Sequence, residues 1–127
     1  MKIIIDSSFW VALFLPQDSN HDIAVKIAKE IDIVNQTVFI NNFVIEETLT
    51  ILTYKGTKNI AAEFLNAMND IGILYTSSSI DEHIGYFYVT KHKISFADHS
   101  IIFDAIKYNL HLITFDKQQE KIWKNEI

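Results

Sequence analysis

The chain has 127 residues, 49% of them hydrophobic, with no cysteine and a formal net charge of −5. That length suits one compact domain with a core of its own, expected here over residues 1–127, and the missing thiols exclude disulfide frameworks, thiolate zinc sites and cysteine nucleophiles. The acidic balance argues against a broad basic surface for gripping nucleic acid, an argument that weakens if carboxylates gather on metal cations and so change the local field.

The first predicted element is a strand over 2–5, in which Ile3, Ile4 and Ile5 read as buried β-branched residues. It runs directly into Asp6, a residue that resists burial. Ser7 and Ser8 can cap a helix over 8–14, so Asp6 is either a turn residue feeding that helix or a group placed for chemistry. The apolar run from Phe9 to Leu15 is far shorter than the roughly 20 residues that span a bilayer, and the opening strand is too short for a signal-peptide core. A soluble cytoplasmic protein with no membrane partner is expected.

A helix over 20–33 and a strand over 37–40, "TVFI", come next. In "NNFVIEETLTIL", Asn41 or Asn42 can cap a helix over 43–55 that puts Val44, Glu47 and Ile51 on one side and Glu46, Thr50 and Thr53 on the polar side. Glu46 reads as solvated. Glu47 lies at the margin of the apolar stripe, too deep in the helix to act in a capping box. Either its stem packs while its head reaches water or a lysine, or it needs a compensating charge inside.

A helix over 58–71 stopped by Gly72, a strand over 73–76, and helices over 80–91 and 96–108 follow, the last stopped at Asn109. On the 96–108 helix, Asp98 shares a face with Ile101, Ile102 and Ala105, whereas Asp104 is rotated well away from it. Ser95 and Asp98 also have capping-box spacing, which alone would account for Asp98. The final strand, 111–114 or "HLIT", leads to Asp116. Strands alternating with helices predict an α/β fold, a three-layer α/β/α sandwich with a mainly parallel sheet covered on both faces.

Open sheets of this kind bind ligands beyond the carboxyl ends of their strands, which is where Asp6 and Asp116 fall. Each is equally well explained as a turn residue when taken alone. Joined by the inward-facing Glu47 and Asp98, they form a candidate cluster whose members must either take up protons or share a cation. An all-oxygen donor set suits Mg²⁺ or Mn²⁺, and the lack of cysteine and of a histidine pair at ligand spacing makes zinc a poorer fit.

The motifs "IIIDSS", "FVIEETLTIL", "ISFADHSII" and "LITFD", in this order over nearly the whole chain, resemble the PIN-domain ribonucleases, including VapC-type toxins of toxin–antitoxin pairs. The resemblance implies a PIN-like fold and a Mg²⁺- or Mn²⁺-dependent endoribonuclease whose products carry a 5′-phosphate and a 3′-hydroxyl. Carried over by motif, the catalytic and metal-binding acids are Asp6, Glu47, Asp98 and Asp116. Asp6 and Asp98 would be the main direct ligands, Glu47 would bind metal or orient the attacking water, and Asp116 would complete the shell. Ser7 matches a small hydroxyl residue that orients the first Asp or a bound water. An RNA substrate, a homodimer and an antitoxin protein are the implied partners.

Two departures accompany the resemblance. Glu46 and Glu47 are adjacent, so the motif fits either, and the helical-face argument selects Glu47. After Asp116 the chain reads "KQQEKIWKNEI" without the closing strand of many relatives, so the last strand is either missing or replaced by a terminal helix.

Other residues have plainer readings. Phe9, Trp10, Phe14 and the run Tyr86-Phe87-Tyr88 could stack on bases, but their spacing fits packing better. His99 is expected at the surface. Lys55, Lys58, Lys91 and Lys93, near helix ends, could meet phosphates or simply be exposed, and three glycines leave no phosphate-cradling loop. A response-regulator receiver and a haloacid-dehalogenase-like phosphatase also place Asp at a strand end, but the second needs another Asp where this chain has Ser8, and both fit poorly. A non-toxin PIN nuclease of RNA processing and a catalytically silent PIN fold used for binding are the alternatives within the family.

Overall fold

In the computed structural model, which describes residues 1–127, four short strands alternate with seven α-helices. Strand β1 (Lys2–Ile5) occupies an interior position of an all-parallel sheet ordered β3-β2-β1-β4, with β2 (Thr37–Ile40), β3 (Leu74–Tyr75) and β4 (His111–Ile113). Ile3, Ile4 and Ile5 are fully buried because side chains on both faces of an interior strand meet helices. Each such burial contributes on the order of 1.5–3 kcal/mol.

Helices α1 (Ser7–Phe14), α2 (His21–Glu30), α3 (Asn42–Lys55) and α4 (Lys58–Ile71) pack on one another, α1 touching all three of the others. Helices α5 (Ile80–Val89), α6 (Phe96–Lys107) and α7 (Lys117–Glu126) form the second group, with α6 lying against β1 and β4. The expected three-layer α/β/α sandwich is the fold found. No helix is long and apolar enough to cross a membrane.

The ends of these helices are set by side chains the sequence advertises. Asn41, not Asn42, caps α3 by accepting the Val44 N–H at 3.0 Å, Thr57 caps α4, and Ser79 and Glu82 form a reciprocal capping box on α5. Gly72 closes α4 at φ 74°, in the left-handed region where glycine carries no Cβ penalty, and Asn109 does the equivalent after α6 at φ 54°.

Two elements are shorter than expected, and the tail resolves an open choice. The helix expected over 20–33 ends at Glu30: Asp32 turns left-handed at φ 50° and a 3₁₀ turn over Ile33–Asn35 swings the chain back to the sheet. The strand expected over 73–76 is shorter, with Leu74 and Tyr75 aligned to Phe39 and Ile40 and the Thr76 N–H adding a last bond to the Ile40 carbonyl at 3.0 Å. The tail after Asp116 is a helix, α7, whose Gln119, Ile122 and Trp123 bury one face, the terminal helix that was one of its two expected outcomes.

Candidate active site

The sheet order creates a switch point: from β1 the chain leaves to one side for β2 and β3, while β4 pairs on the other side. Crevices at the carboxyl ends of such strands are natural ligand sites. The register aligns Ile5 with Ile113, so Asp6 and Thr114 emerge side by side, and the Asp6 N–H donates to the Ile113 carbonyl at 2.9 Å. A pocket of about 380 Å³ opens here, and Asp6, Glu47, Asp98 and Asp116 all line it. Each comes from a different segment: Asp6 ends β1, Glu47 rides α3, Asp98 sits in the first turn of α6, and Asp116 caps α7.

Asp6 fulfils both of its readings. It is the N-cap of α1, and its Oδ2 accepts from the Ser8 N–H at 3.4 Å, the Ser8 hydroxyl at 3.0 Å and the Thr114 hydroxyl at 3.0 Å. All of these bonds fall on one oxygen, leaving Oδ1 free for the pocket. Asp116 is divided in the same way: its Oδ1 accepts from the Gln118 and Gln119 N–H groups, while Oδ2 takes no part in the cap.

The two helical acids are held more loosely. Glu47 is half-buried and Glu46 is exposed, as the helical phase of α3 requires. Ser95 accepts the Asp98 N–H at 3.1 Å, but Asp98 does not complete a capping box and turns its carboxylate elsewhere. Its side chain receives the Gln119 amide at 3.3 Å and lies close to the Ser95 hydroxyl. Burial first, and then the nearby charge of Asp6, Asp116 and Glu47, pushes the Asp98 carboxyl from its ordinary 3.8 up to about 6, against the opposing hydrogen bond from Ser95. Asp98 thus feels the other three acids electrostatically.

The supporting residues differ from those expected. The Ser7 hydroxyl donates to Glu47 Oε1 and does not orient Asp6; Ser8 does that, because the α1 cap turns the second serine back onto the carboxylate. Ser8 also accepts the Phe115 N–H at 3.0 Å, and Thr114 accepts the Asp116 N–H at 3.0 Å, so the two hydroxyls tie β1 to the segment that follows β4. Thr114 and Gln119 went unread in the sequence, as did Asp18, a further carboxylate on the pocket rim. The signal for Gln119 was its place with Ile122 and Trp123 on one side of a tail helix.

His99 corrects a second expectation: it is buried, not at the surface. Its Nδ1 donates to the Ser95 carbonyl at 2.9 Å and its ring meets Phe87 edge-on at 5.0 Å. Asp104, read as facing away from the buried side, is itself fully buried. It accepts from His83 Nε2 at 2.9 Å, the Thr76 hydroxyl at 2.7 Å and the Asn41 amide at 3.1 Å. Of the aromatics read as packing residues, Phe9 and Trp10 are buried, whereas Tyr88 is 80% exposed.

The donor set is all oxygen and strongly anionic, which fits a hard divalent cation and leaves no soft ligand for zinc. No group of three or more His, Asp or Glu side chains is arranged to hold an ion as it stands. The four carboxylates share a pocket without sharing a point.

An acidic pocket at the switch point of a parallel α/β/α sheet, built from strand-end and helix-borne carboxylates, defines the structural class. The PIN-domain family model matches residues 3–125, and the chain belongs to the PIN-domain family. Among solved structures, the fold is similar to that of VapC20 from Mycobacterium tuberculosis, described as a sarcin–ricin loop cleaving toxin, with a TM-score of 0.81 and 20% identity over 94% of each chain. It is also similar to VapBC2 from Rickettsia felis, solved bound to a DNA fragment from its promoter, with a TM-score of 0.67 and 16% identity over 96% of this chain and 93% of that one. No curated protein sequence matches.

Proposed function

We propose that this chain is a Mg²⁺- or Mn²⁺-dependent endoribonuclease that hydrolyses RNA phosphodiesters, and that it serves as the toxin of a VapBC-type pair. The observation that carries the chemistry is the convergence of Asp6, Glu47, Asp98 and Asp116 on one pocket, where burial first and then the neighbouring acids raise the Asp98 carboxyl to about 6. A structural acid cluster would neutralise itself with protons or lysines; this one leaves oxygens of Asp6 and Asp116 free and Asp98 nearly unpaired.

The bound divalent ion would lower the pKa of a water and neutralise charge on the scissile phosphate and the leaving oxygen. Asp6 and Asp98 would hold it, with Asp116 Oδ2 completing the shell. Asp6 is locked for that task by Ser8 and Thr114, which fix its rotamer and leave one oxygen directed away from them. Glu47, steadied by Ser7, would orient the attacking water or bind the ion itself. The Gln119 amide holds Asp98 beside the Asp116 cap, so α7 positions two of the four acids. The resemblance to PIN-domain ribonucleases implies that the 3′ oxygen is the leaving group, so that the products would carry a 5′-phosphate and a 3′-hydroxyl.

The toxin role is supported by the likeness of fold to VapC20 and to VapBC2, and an antitoxin protein is the partner that role requires. A homodimer is proposed from the resemblance to small single-domain PIN proteins. The exposed apolar residues of α5, among them Ile80, Phe87, Tyr88 and Val89, offer surface for one or the other.

The test is cleavage of single-stranded and structured RNA by the purified chain in Mg²⁺, in Mn²⁺ and in EDTA, with Asp6→Asn and Glu47→Gln as variants. Cleavage that needs the metal and drops about 100-fold or more in both variants is expected, beyond the 10–100-fold typical of outer-shell partners. Cleavage that persists in EDTA or in Asp6→Asn would refute the metal mechanism, and a wild type inert under every metal condition would favour the silent binding fold.

A further inference from the structure

The acidic pocket contains one cation. Asp6, Asp18, Glu47, Asp98 and Asp116 line it, and Lys55 is the only basic residue among the lining side chains. Glu47, Ile51 and Lys55 follow one another at single-turn spacing along α3, so helical geometry delivers the lysine to the same side as the acid. Lys55 pairs with none of these carboxylates; the ion pairs of the molecule involve other lysines and histidines.

The backbone beneath Lys55 is pinned from several directions. The Gln17 side-chain amide donates to the Lys55 carbonyl at 3.1 Å, bridging from the loop between α1 and α2. Gly56 follows at once, and a Cβ there would stand 2.9 Å from both Leu15 Cδ1 and the Leu52 carbonyl oxygen. The bare Cα therefore allows the α1–α2 loop to lie against the end of α3. Asp18 and Asn20 of that loop reach the same pocket, Asp18 Oδ1 accepting the Asn20 N–H at 2.8 Å. An unpaired lysine is thus anchored at the mouth of an otherwise anionic pocket.

The geometry points to Lys55 as the residue that receives a backbone phosphate next to the one being cleaved, so that single-stranded RNA runs out of the pocket between the end of α3 and the α1–α2 loop. The assignment rests on the ribonuclease reading above. A polyanion entering among five carboxylates is repelled wherever a phosphate is not matched by positive charge, and a chain of net charge −5 supplies no broad basic surface to compensate. Lys55 provides that charge at the pocket edge, where a flexible stem can follow the strand.

The experiment measures binding of a fluorescent single-stranded oligoribonucleotide to the full chain in Ca²⁺, and KM and kcat for RNA cleavage in Mg²⁺, each across a salt series. Lys55→Ala should raise Kd and KM about fivefold with kcat nearly unchanged, the size expected of one partly screened charge pair. Its log Kd against log salt slope should shrink by about 0.7, the share of one phosphate contact on a single strand. Lys55→Arg should restore both, and Lys29→Ala, on α2 beside a different hollow lined by Leu13 and Val25, should change neither. If the wild type cleaves and binds RNA but Lys55→Ala matches it in Kd and slope, or Lys29→Ala shows the same loss, the Lys55 assignment is overturned while the ribonuclease reading stands. If the wild type neither binds nor cleaves, both fall together.

Discussion

Helix α6 carries two carboxylates withdrawn from water, and they live in opposite circumstances. Asp104 is fully buried and fully answered: His83 meets one oxygen, while Thr76 and Asn41 meet the other. Asp98 is half-buried and faces three more acids, with only the Gln119 amide at 3.3 Å and the Ser95 hydroxyl to set against them. Burial alone would rank Asp104 as the more remarkable group. Satisfaction reverses the ranking, because a buried carboxylate whose lone pairs are all matched holds a fold together, whereas one left among like charges is waiting for a cation or a proton.

The Asp104 network also bears on the site without touching it. Asn41 caps α3 through its oxygen and uses its amide to reach Asp104 and Ser100 of α6. One buried amide thus sets the start of the helix that carries Glu47 against the helix that carries Asp98. Asp104→Ala should have the largest effect on stability, about 3–5 kcal/mol, since it strands His83, Thr76 and Asn41 together. Urea denaturation reads this directly. Cleavage per folded molecule should fall much less than in a pocket variant, and a stability loss within the range of an ordinary surface change would erase the contrast between the two acids.

Asp98→Asn should do the reverse. Cleavage is expected to drop about 100-fold or more, while the metal-free protein gains stability at neutral pH. The sign follows from the raised carboxyl. Between 3.8 and about 6 the folded state keeps a proton that the unfolded chain has released, so the stability contributed by Asp98 is complete below 3.8 and is lost as pH rises through about 6. Melting temperatures in EDTA, taken as Asp98→Asn minus wild type, should therefore grow from pH 4 to pH 7 and then level off. A flat difference would mean that burial and the neighbouring acids do not raise the Asp98 carboxyl as described, and Mg²⁺ should shrink the difference by stabilising the wild type more than the variant.

How much of this was legible in the sequence depends on how many sides of each element meet protein. Asp6 and Asp116 could be placed because parallel strands deliver their carboxyl ends to one rim, and Glu47 because α3 keeps a wet face that fixes its phase. Helix α6 has almost no wet face: His99, Ser100, Ile101, Ile102, Asp104 and Ala105 are all buried between the sheet, α5 and α7. A helical wheel that assumes one solvent side therefore put His99 and Asp104 in the wrong place. The exchange of roles between Ser7 and Ser8 was illegible for a different reason, since cap geometry alone decides which of two adjacent hydroxyls folds back onto Asp6. A terminal helix was legible in the tail, but the roles of Gln119 and Thr114 were not, because they act only through Asp98 and Asp6, which are distant in sequence.

The smallest expected effect falls on a pair that differs by one residue. Glu46 and Glu47 are turned about 100° apart on α3, and that rotation sends the first into solvent and the second to the pocket, where Ser7 meets it. The Glu46 backbone carbonyl accepts the Thr50 hydroxyl at 2.8 Å, a local bond that survives any change of its side chain. Glu46→Gln should leave stability within about 0.5 kcal/mol and cleavage unchanged, in the same assays in which Glu47→Gln removes a carboxylate from the site. Equal losses in the two variants would mean that α3 rotates to bring Glu46 inward. The Asn41 cap argues against such rotation, because turning the helix would break its bonds to Val44, Ser100 and Asp104 at once.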